Sequence, residues 1–175
     1  MSGDGQVMET TVPVAAEFDS FYRKEFPAMV ALAASVGAGT AIAEDVAQEA
    51  MVKAHRNWAK ISSYDNPGAW VRRVTINLAT STARRRATEV KAKLRLRRRA
   101  RPPMAAASPI AEPIWAAVAQ LPRQQRAAIA LYYLEDRPVA EIAEILECAP
   151  ATAKVHLHRA RTHLAEVLRL DGSIA

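Results

Sequence analysis

Apolar residues recur at intervals of three and four in two neighbouring stretches between residues 138 and 168. In the first stretch, which follows Pro138, they are Val139, Ile142, Ala143, Ile145 and Leu146. In the second stretch they are Ala153, Leu157, Ala160, Leu164, Val167 and Leu168. Residues at this spacing share one face of an α-helix. The pattern predicts two short amphipathic helices joined by a turn at residues 147–149, as in a helix-turn-helix.

The polar face of the second helix carries the side chains that suit DNA. A recognition helix enters the major groove with its N-terminal end. The candidates for base edges are therefore Thr152, Lys154, Val155, His156 and His158. Arg159 and Arg161 are better placed for phosphates. The same pattern also fits a plain helical hairpin with a solvated polar face, and the turn lacks the glycine that a helix-turn-helix often uses.

Helical periodicity continues through the N-terminal half of the chain. A first helix from Glu17 should be kinked or split at Pro27, because proline removes a backbone donor. A second helix, capped by Thr40, should run from Ala41 to about Lys60. Its predicted core stripe is Val46, Ala50, Ala54 and Trp58. We expect these elements to form a small helical core.

A third helix should follow the polar loop at residues 62–68 and run from Ala69 to at least Arg86. Its inward residues are predicted to be Trp70, Val74 and Leu78, with Val71 as an alternative. Its outer polar strip would be Arg73, Asn77, Thr80, Ser81 and Arg84. Two further helices, around Val118 and Leu131, precede the helix-turn-helix.

The fold class predicted from these elements is all-α, with two small helical domains joined by a flexible basic linker. The C-terminal domain contains the helix-turn-helix. The predicted boundaries are a disordered tail at 1–14, an N-terminal domain at 15–86, a linker at 87–112, a C-terminal domain at 113–170 and a tail at 171–175.

The net charge of +6 is concentrated between the two predicted domains. Residues 84–101 hold ten Lys and Arg and one Glu, a local charge of +9, whereas residues 1–83 and 102–175 carry −2 and −1. A run of like charges is often only a solvated segment. Beside a motif that reads DNA, it also suits the phosphate backbone.

Little in the sequence indicates enzymatic or metal chemistry. His156, His158 and His163 fall on one predicted helix, where the first two point about 200° apart, so they cannot share a zinc ion. No phosphate loop or nucleophile elbow is present. The single Cys148 fits a reducing cytoplasm and a role as apolar filler better than one as a redox sensor. No apolar run reaches the roughly 20 residues of a membrane span. We predict a cytoplasmic, non-enzymatic protein with no cofactor and no membrane insertion.

Three segments carry a family resemblance. Residues 43–50 read AEDVAQEA, residues 67–79 read PGAWVRRVTINLA, and residues 121–126 read LPRQQR. In this order, and followed by the helix-turn-helix, they resemble the signatures of the extracytoplasmic-function branch of bacterial RNA polymerase sigma factors. The resemblance extends over about residues 17–170.

In that family the first segment lies on the helix that grips the clamp helices of the largest polymerase subunit. The resemblance implies that the polymerase contacts are Asp45, Gln48, Glu49 and Val52. Hydrogen-bond acceptors beside an apolar residue suit a basic partner helix.

The second segment is similar to the family's loop and helix that melt the minus-10 element and hold an unstacked base. The implied base-capture loop is Tyr64, Asp65 and Asn66, and the residues along the single strand are Arg72, Arg73, Asn77 and Arg84. Ile76 and Ser81 depart from the family pattern, which often has Arg and Asp there. For Trp70, a core role is favoured over a stacking platform.

The third segment, with the helix-turn-helix that follows it, resembles the family's domain that reads the minus-35 element. The implied contacts are Arg137, Thr152, Lys154, Val155, His156, His158, Arg159 and Arg161. Glu147 and Ala151 replace glycines of the family pattern, and Val155 and His156 replace Ser and Arg. The promoter preference is therefore predicted to be idiosyncratic.

The linker length is compatible with this interpretation. Two promoter elements two helical turns apart are separated by roughly 70 Å, and residues 87–112 reach at most about 90 Å when extended. The resemblance implies a sigma factor that binds core polymerase, recognises promoters and melts them. It also implies an anti-sigma protein that keeps this sigma factor inactive. The alternative is a stand-alone helix-turn-helix regulator whose N-terminal lobe binds another protein.

Overall fold

The computed structural model describes residues 14–96 and 112–170, and these residues form helices joined by short turns, with no strand among them. The N-terminal lobe contains α1 (Val14–Ala33), a π-helical turn (Ala34–Ala38), α2 (Thr40–Arg56), α3 (Trp58–Ile61) and α4 (Pro67–Leu96). The C-terminal lobe contains α5 (Glu112–Gln120), α6 (Arg123–Tyr133), α7 (Val139–Ile145) and α8 (Pro150–Leu170). The predicted all-α fold class is confirmed. The predicted tails at 1–13 and 171–175 and the linker residues 97–111 lie outside the described residues.

The core of the N-terminal lobe forms where α1, α2 and α4 meet. The predicted stripe on α2 is confirmed, since Val46, Ala50, Ala54 and Trp58 are all buried. The small alanines leave room for the neighbouring helices, and Met29, Leu32 and Met51 fill the centre. The ring of Phe18 packs edge-on against Trp58, with 5.2 Å between the ring centroids. These buried apolar residues belong to one cluster that also includes residues of the C-terminal lobe, such as Leu121 and Leu131.

The first two helices differ from the prediction at their boundaries. α1 continues through Pro27, so the predicted split there is wrong. Pro27 and Arg23 are both exposed, and water can hydrate the carbonyl that proline leaves unpaired. The chain breaks instead at Gly37 and Gly39, whose φ values of 134° and 75° suit glycine. Thr40 is not the cap of α2 but its first residue, and Gly39 occupies the capping position.

The third long helix extends past the predicted domain boundary, and its buried face is rotated from the predicted one. α4 begins at Pro67 and runs to Leu96, ten residues beyond the predicted domain boundary at Arg86. The inward positions of α4 are Val71, Arg72, Thr75, Ile76 and Ala79. Trp70, Val74 and Leu78 are half-buried and pack at the margin of the core. The predicted inward positions are therefore confirmed at Val71 and only in part at Trp70, which contacts the core from its margin.

The C-terminal lobe packs α5, α6 and α7 against α8. The inward seam of α8 is buried at Ala153, Leu157 and Ala160, as the periodicity predicts. α7 ends in two nested hydrogen bonds. The amide of Cys148 donates to the carbonyl of Ala143 (2.9 Å), and the amide of Glu147 donates to the carbonyl of Glu144 (3.2 Å). This pair of bonds defines a Schellman motif. The turn without glycine forms because Glu147 itself adopts a left-handed φ of 52°.

Over the described ranges, residues 14–96 and 112–170, we find no helix that combines the length and apolarity needed to span a lipid bilayer.

Candidate nucleic-acid and polymerase interfaces

The predicted polymerase contacts lie together on the outer face of α2. Asp45, Gln48 and Glu49 are exposed, and the side chain of Val52 is 47% exposed beside them. Glu49 forms an ion pair with Lys53 (3.3 Å), one helical turn further on. A shallow groove between α1 and α2 adjoins this face and is lined by Phe18, Tyr22, Gln48, Met51, Val52, His55 and Arg56. The structure thus joins the acceptor side chains to an apolar groove, which the sequence analysis missed.

The predicted base-capture loop is held by its own backbone. The amide of Ser62 donates to the carbonyl of Trp58 (2.8 Å), and that of Tyr64 donates to Ile61 (3.0 Å). These bonds leave the side chains of Tyr64 and Asp65 exposed at the start of α4. Asn66 has a structural role, because its Oδ1 accepts a hydrogen bond from the amide of Ala69 (3.0 Å) and caps α4, with Pro67 in the first helical position.

Arg72, which the family resemblance implies as a contact along the single strand, does not face solvent. Its side chain is 2% exposed and forms ion pairs with Glu25 of α1 (2.7 Å) and Glu135 of the α6–α7 turn (2.5 Å). A Cβ atom added at Gly68 would lie 2.7 Å from the Arg72 guanidinium, so a side chain there would displace that guanidinium. Arg72 is therefore buried inside the folded chain, where two carboxylates compensate its charge. Nothing in helical periodicity signals this arrangement.

Residues of the expected outer strip face the cleft between the lobes or solvent. Arg73 forms an ion pair with Glu147 of the C-terminal lobe (2.6 Å). The amide oxygen of Asn77 accepts a hydrogen bond from Arg123 at the start of α6. Arg84 is exposed further along α4. The strip is thus partly covered by the second lobe.

Most of the expected minus-35 residues form one surface on α8. Thr152, Lys154, Val155, His158 and Arg159 are exposed, with Val155 at 44%, and His156 is half-buried. They lie in the N-terminal half of the second helix of the helix-turn-helix. This is the part of a recognition helix that enters the major groove.

Two expected minus-35 arginines are held by neighbouring side chains. Arg161 donates to the hydroxyl of Tyr133 (2.9 Å), and its guanidinium lies over the ring of Tyr132, 4.9 Å from the centroid. Such a cation–π contact anchors an arginine on its own protein. Arg137 forms ion pairs with Glu141 (3.2 Å) and Glu135 (3.6 Å). To contact a phosphate, each guanidinium must either break these contacts or donate from the N–H groups that they leave over.

Two further features of the C-terminal lobe escaped the sequence analysis. Arg126 donates to the carbonyls of Leu121 (3.0 Å) and Ala119 at the end of α5 and to that of Val36 (3.2 Å) in the other lobe. Burial lowers the pKa of its guanidinium. An apolar groove between α5, α6 and α8 exposes Ile114, Tyr133 and Leu134. The spacing of Arg126 after the Leu121–Pro122 turn is the only signal that could have indicated its capping role.

The titratable side chains of the described residues do not assemble into a metal centre. Across residues 14–96 and 112–170, His, Cys, Asp and Glu form no group of three or more that could hold an ion. Cys148 lies in the turn of the helix-turn-helix, half-buried against the core, and burial raises the pKa of its thiol. Its packing is that of a small apolar side chain.

Comparisons with known protein families match both lobes. Residues 21–89 match sigma-70 region 2, and residues 111–164 match sigma-70 region 4. Together the two regions cover well over half of the chain, in the order of the two lobes. The chain belongs to the extracytoplasmic-function branch of the sigma-70 family.

Individual relatives agree with the assignment of this chain to the family. The chain is 28% identical over 160 residues to the ECF RNA polymerase sigma factor SigM of Mycobacterium tuberculosis, and the match covers 86% of this chain and 76% of SigM. It is 29% identical over 150 residues to EcfG of Rhodopseudomonas palustris, covering 84% and 82% of the two chains. Among solved structures, it resembles the sigma factor RpoE of Bartonella quintana, crystallised with the anti-sigma factor NepR. The TM-score is 0.70 at 28% identity, over 89% of this chain and 98% of RpoE. The fold also matches CnrH, solved with the cytosolic domain of CnrY, with a TM-score of 0.62 over 88% of each chain at 22% identity.

This protein is therefore an alternative sigma factor, a subunit that binds core RNA polymerase and directs it to promoter DNA. The predicted family and function are confirmed. The roles of individual residues are a separate question.

Proposed function

We propose that this sigma factor divides its work among three surfaces: the outer face of α2 for polymerase, the loop at 62–66 with α4 for the minus-10 element, and α8 for the minus-35 element. The observation that carries this proposal is that the polar residues of each surface lie side by side on the folded chain. The proposal also places the protein in the cytoplasm, where it melts promoters without covalent catalysis.

The α2 face suits the clamp helices of the largest polymerase subunit. Asp45, Gln48 and Glu49 offer acceptors for basic side chains, and Val52 with the adjoining groove offers apolar contact. Electrostatic complementarity gives such an interface its specificity and speeds association. Buried apolar contact at the centre supplies more of the affinity.

The loop at 62–66 is built to present two side chains to a single strand. Tyr64 offers a ring for stacking, and Asp65 offers an acceptor for the edge of a flipped base. Asn66 sets their position by capping α4, although its amide nitrogen can also donate. Arg73, Asn77 and Arg84 would follow the backbone of the strand, while the buried Arg72 acts indirectly by fixing the start of α4.

The exposed half of α8 suits duplex DNA at the minus-35 element. Thr152, Lys154, Val155, His156 and His158 would meet base edges, and Arg159, Arg161 and Arg137 would meet phosphates. Only one of the five groove residues is a fixed cation. The interface should therefore depend on shape and apolar contact as well as on charge.

An anti-sigma protein is proposed as a further partner. The support is that RpoE of Bartonella quintana, 28% identical to this chain, was solved bound to the anti-sigma factor NepR. Such a protein would bind the free sigma factor and compete with polymerase.

The test is co-purification with core polymerase followed by run-off transcription on a genomic DNA library. The variant Asp45→Ala/Gln48→Ala should weaken polymerase binding about tenfold or more, because it removes two central contacts. The control Glu144→Ala/Gln120→Ala removes an exposed acid and an exposed amide elsewhere and should bind like the wild type. Unchanged polymerase binding by the α2 variant would contradict the assignment of this face.

A further inference from the structure

Some of the contacts between the two lobes use residues that the proposed function assigns to the minus-10 element. Among the described residues, four side-chain pairs cross between them, namely Asn66–Glu141, Arg72–Glu135, Arg73–Glu147 and Asn77–Arg123. Arg126 adds a fifth contact to the carbonyl of Val36. The surface of α4 that would follow the strand is therefore partly occupied within the chain.

Two of the groups that occupy this surface are carboxylates of the C-terminal lobe. Glu147 accepts from Arg73 (2.6 Å), and Glu141 accepts from the amide nitrogen of Asn66 (3.1 Å). A carboxylate offers the same negative oxygens to a guanidinium as a DNA phosphate does. The acids therefore satisfy the donors that single-stranded DNA would need.

The backbone at Glu147 indicates that this contact has a cost. Its φ of 52° is left-handed, a conformation that glycine adopts without the clash a Cβ brings. The residue at this turn is nevertheless a glutamate, and its side chain reaches across to Arg73. A glycine would close the turn more easily but could not make the ion pair.

We propose that the closed arrangement of the lobes is a self-inhibited state, in which Glu141 and Glu147 act as a latch on the minus-10 surface. The proposal rests on the proposed function of α4 and goes beyond it. Strand binding then requires the latch to open. The apparent affinity for DNA is reduced by the fraction of molecules that are closed.

The test uses the full chain with the substitutions Glu141→Gln/Glu147→Gln, which remove two charges and leave the apolar cores intact. The matched control is Glu144→Gln/Glu166→Gln, which removes two exposed acids that form no ion pair within residues 14–96 and 112–170. Lobe separation is measured by small-angle X-ray scattering. Strand binding is measured by fluorescence anisotropy of a labelled single-stranded oligonucleotide of mixed sequence. Circular dichroism verifies that each variant is folded.

We expect the latch variant to have a larger radius of gyration than the wild type and to bind the oligonucleotide about three- to tenfold more tightly, as loss of two partly exposed contacts allows. The control should match the wild type in both measurements. Equal scattering and affinity of latch variant and wild type would overturn the proposal. It would also be overturned if the control gained the same affinity, because the effect would then be one of net charge alone.

Run-off transcription with core polymerase separates this proposal from the proposed function. If the latch variant opens but neither chain supports transcription, the latch proposal is supported and the proposed function is refuted. If both chains support transcription but the latch variant does not open, the proposed function is supported and the latch proposal is refuted.

Discussion

Arg72 is the charged residue whose replacement should destabilise the protein most. Its side chain is 2% exposed and lies between Glu25 and Glu135, whose side chains are 11% and 6% exposed. In the variant Arg72→Met, the two carboxylates lose the cation that they share, and Glu135 retains its longer contact with Arg137 (3.6 Å). Breaking a buried ion pair by removing one partner costs about 3–5 kcal/mol. Since small domains are stable by about 5–15 kcal/mol, this loss is a large part of the total.

The measurement is urea unfolding followed by circular dichroism at the helical band and by tryptophan fluorescence. Arg73→Met is the matched control, because Arg73 neighbours Arg72 and also pairs with a glutamate, but its side chain is 30% exposed and that of Glu147 is 68% exposed. An exposed pair contributes about 0–1 kcal/mol, so the control should unfold close to the wild type. The two probes should be compared, because two lobes need not unfold together.

The reasoning about Arg72 fails if Arg72→Met costs no more free energy of unfolding than Arg73→Met. It also predicts a partial rescue. In the variant Arg72→Met/Glu25→Gln/Glu135→Gln no buried charge is left uncompensated, so part of the lost stability should return. A triple variant that is less stable than Arg72→Met would show that the carboxylates are stabilised by something other than this arginine.

Three further predictions concern the C-terminal lobe. Arg126→Met removes a charged donor from three carbonyls and should lower the free energy of unfolding by about 1.5–3 kcal/mol in the same urea assay. Arg126→Lys should not retain the lost stability, because lysine lacks the planar, forked guanidinium group. Glu147→Gly should be more stable than Glu147→Ala by about 1 kcal/mol and should melt at a higher temperature, because both variants lose the ion pair but only glycine relieves the left-handed backbone. Equal melting temperatures would contradict the assigned strain. Burial raises the pKa of Cys148, so iodoacetamide should alkylate it more slowly in the folded chain than in urea, and the folded rate should still be rising above pH of about 8.5.

Periodicity predicted those parts of the fold that depend on neighbours along the chain. The stripe on α2 and the seam on α8 are each set by residues within a few turns of one another. The stripe is buried as expected, and the seam is buried at Ala153, Leu157 and Ala160. The family and the overall function followed from three short segments that resemble the family's signatures in the same order. These features need no knowledge of what lies across the core.

The parts that could not be predicted depend on residues distant in the sequence. The family resemblance implies that Arg72 contacts the single strand, and its burial becomes apparent only with its partners Glu25 and Glu135, which lie 47 and 63 positions away in the sequence. Glu147 reads as a misfit at a glycine position until Arg73 is found opposite it. Pro27 shows the reverse, since a strong local signal is overridden where the unpaired carbonyl can face water.

The polar character of the contacts between the lobes has a testable consequence for salt. The buried apolar residues of both lobes form one cluster, whereas several side-chain contacts between the lobes join charged or polar groups at partly exposed positions. Raising the ionic strength from about 0.01 M to about 1 M shortens the Debye length from about 30 Å to about 3 Å and weakens exposed pairs selectively. The radius of gyration of the full chain should therefore grow with salt while its helical circular dichroism stays constant. In the variant Glu141→Gln/Glu147→Gln this growth should be smaller, because fewer charged contacts remain to be screened. A wild-type radius that does not respond to salt would mean that apolar contacts, such as those around Ile76 and Leu146, hold the lobes together. The carboxylates would then lie at that interface without stabilising it, and they could not control its opening.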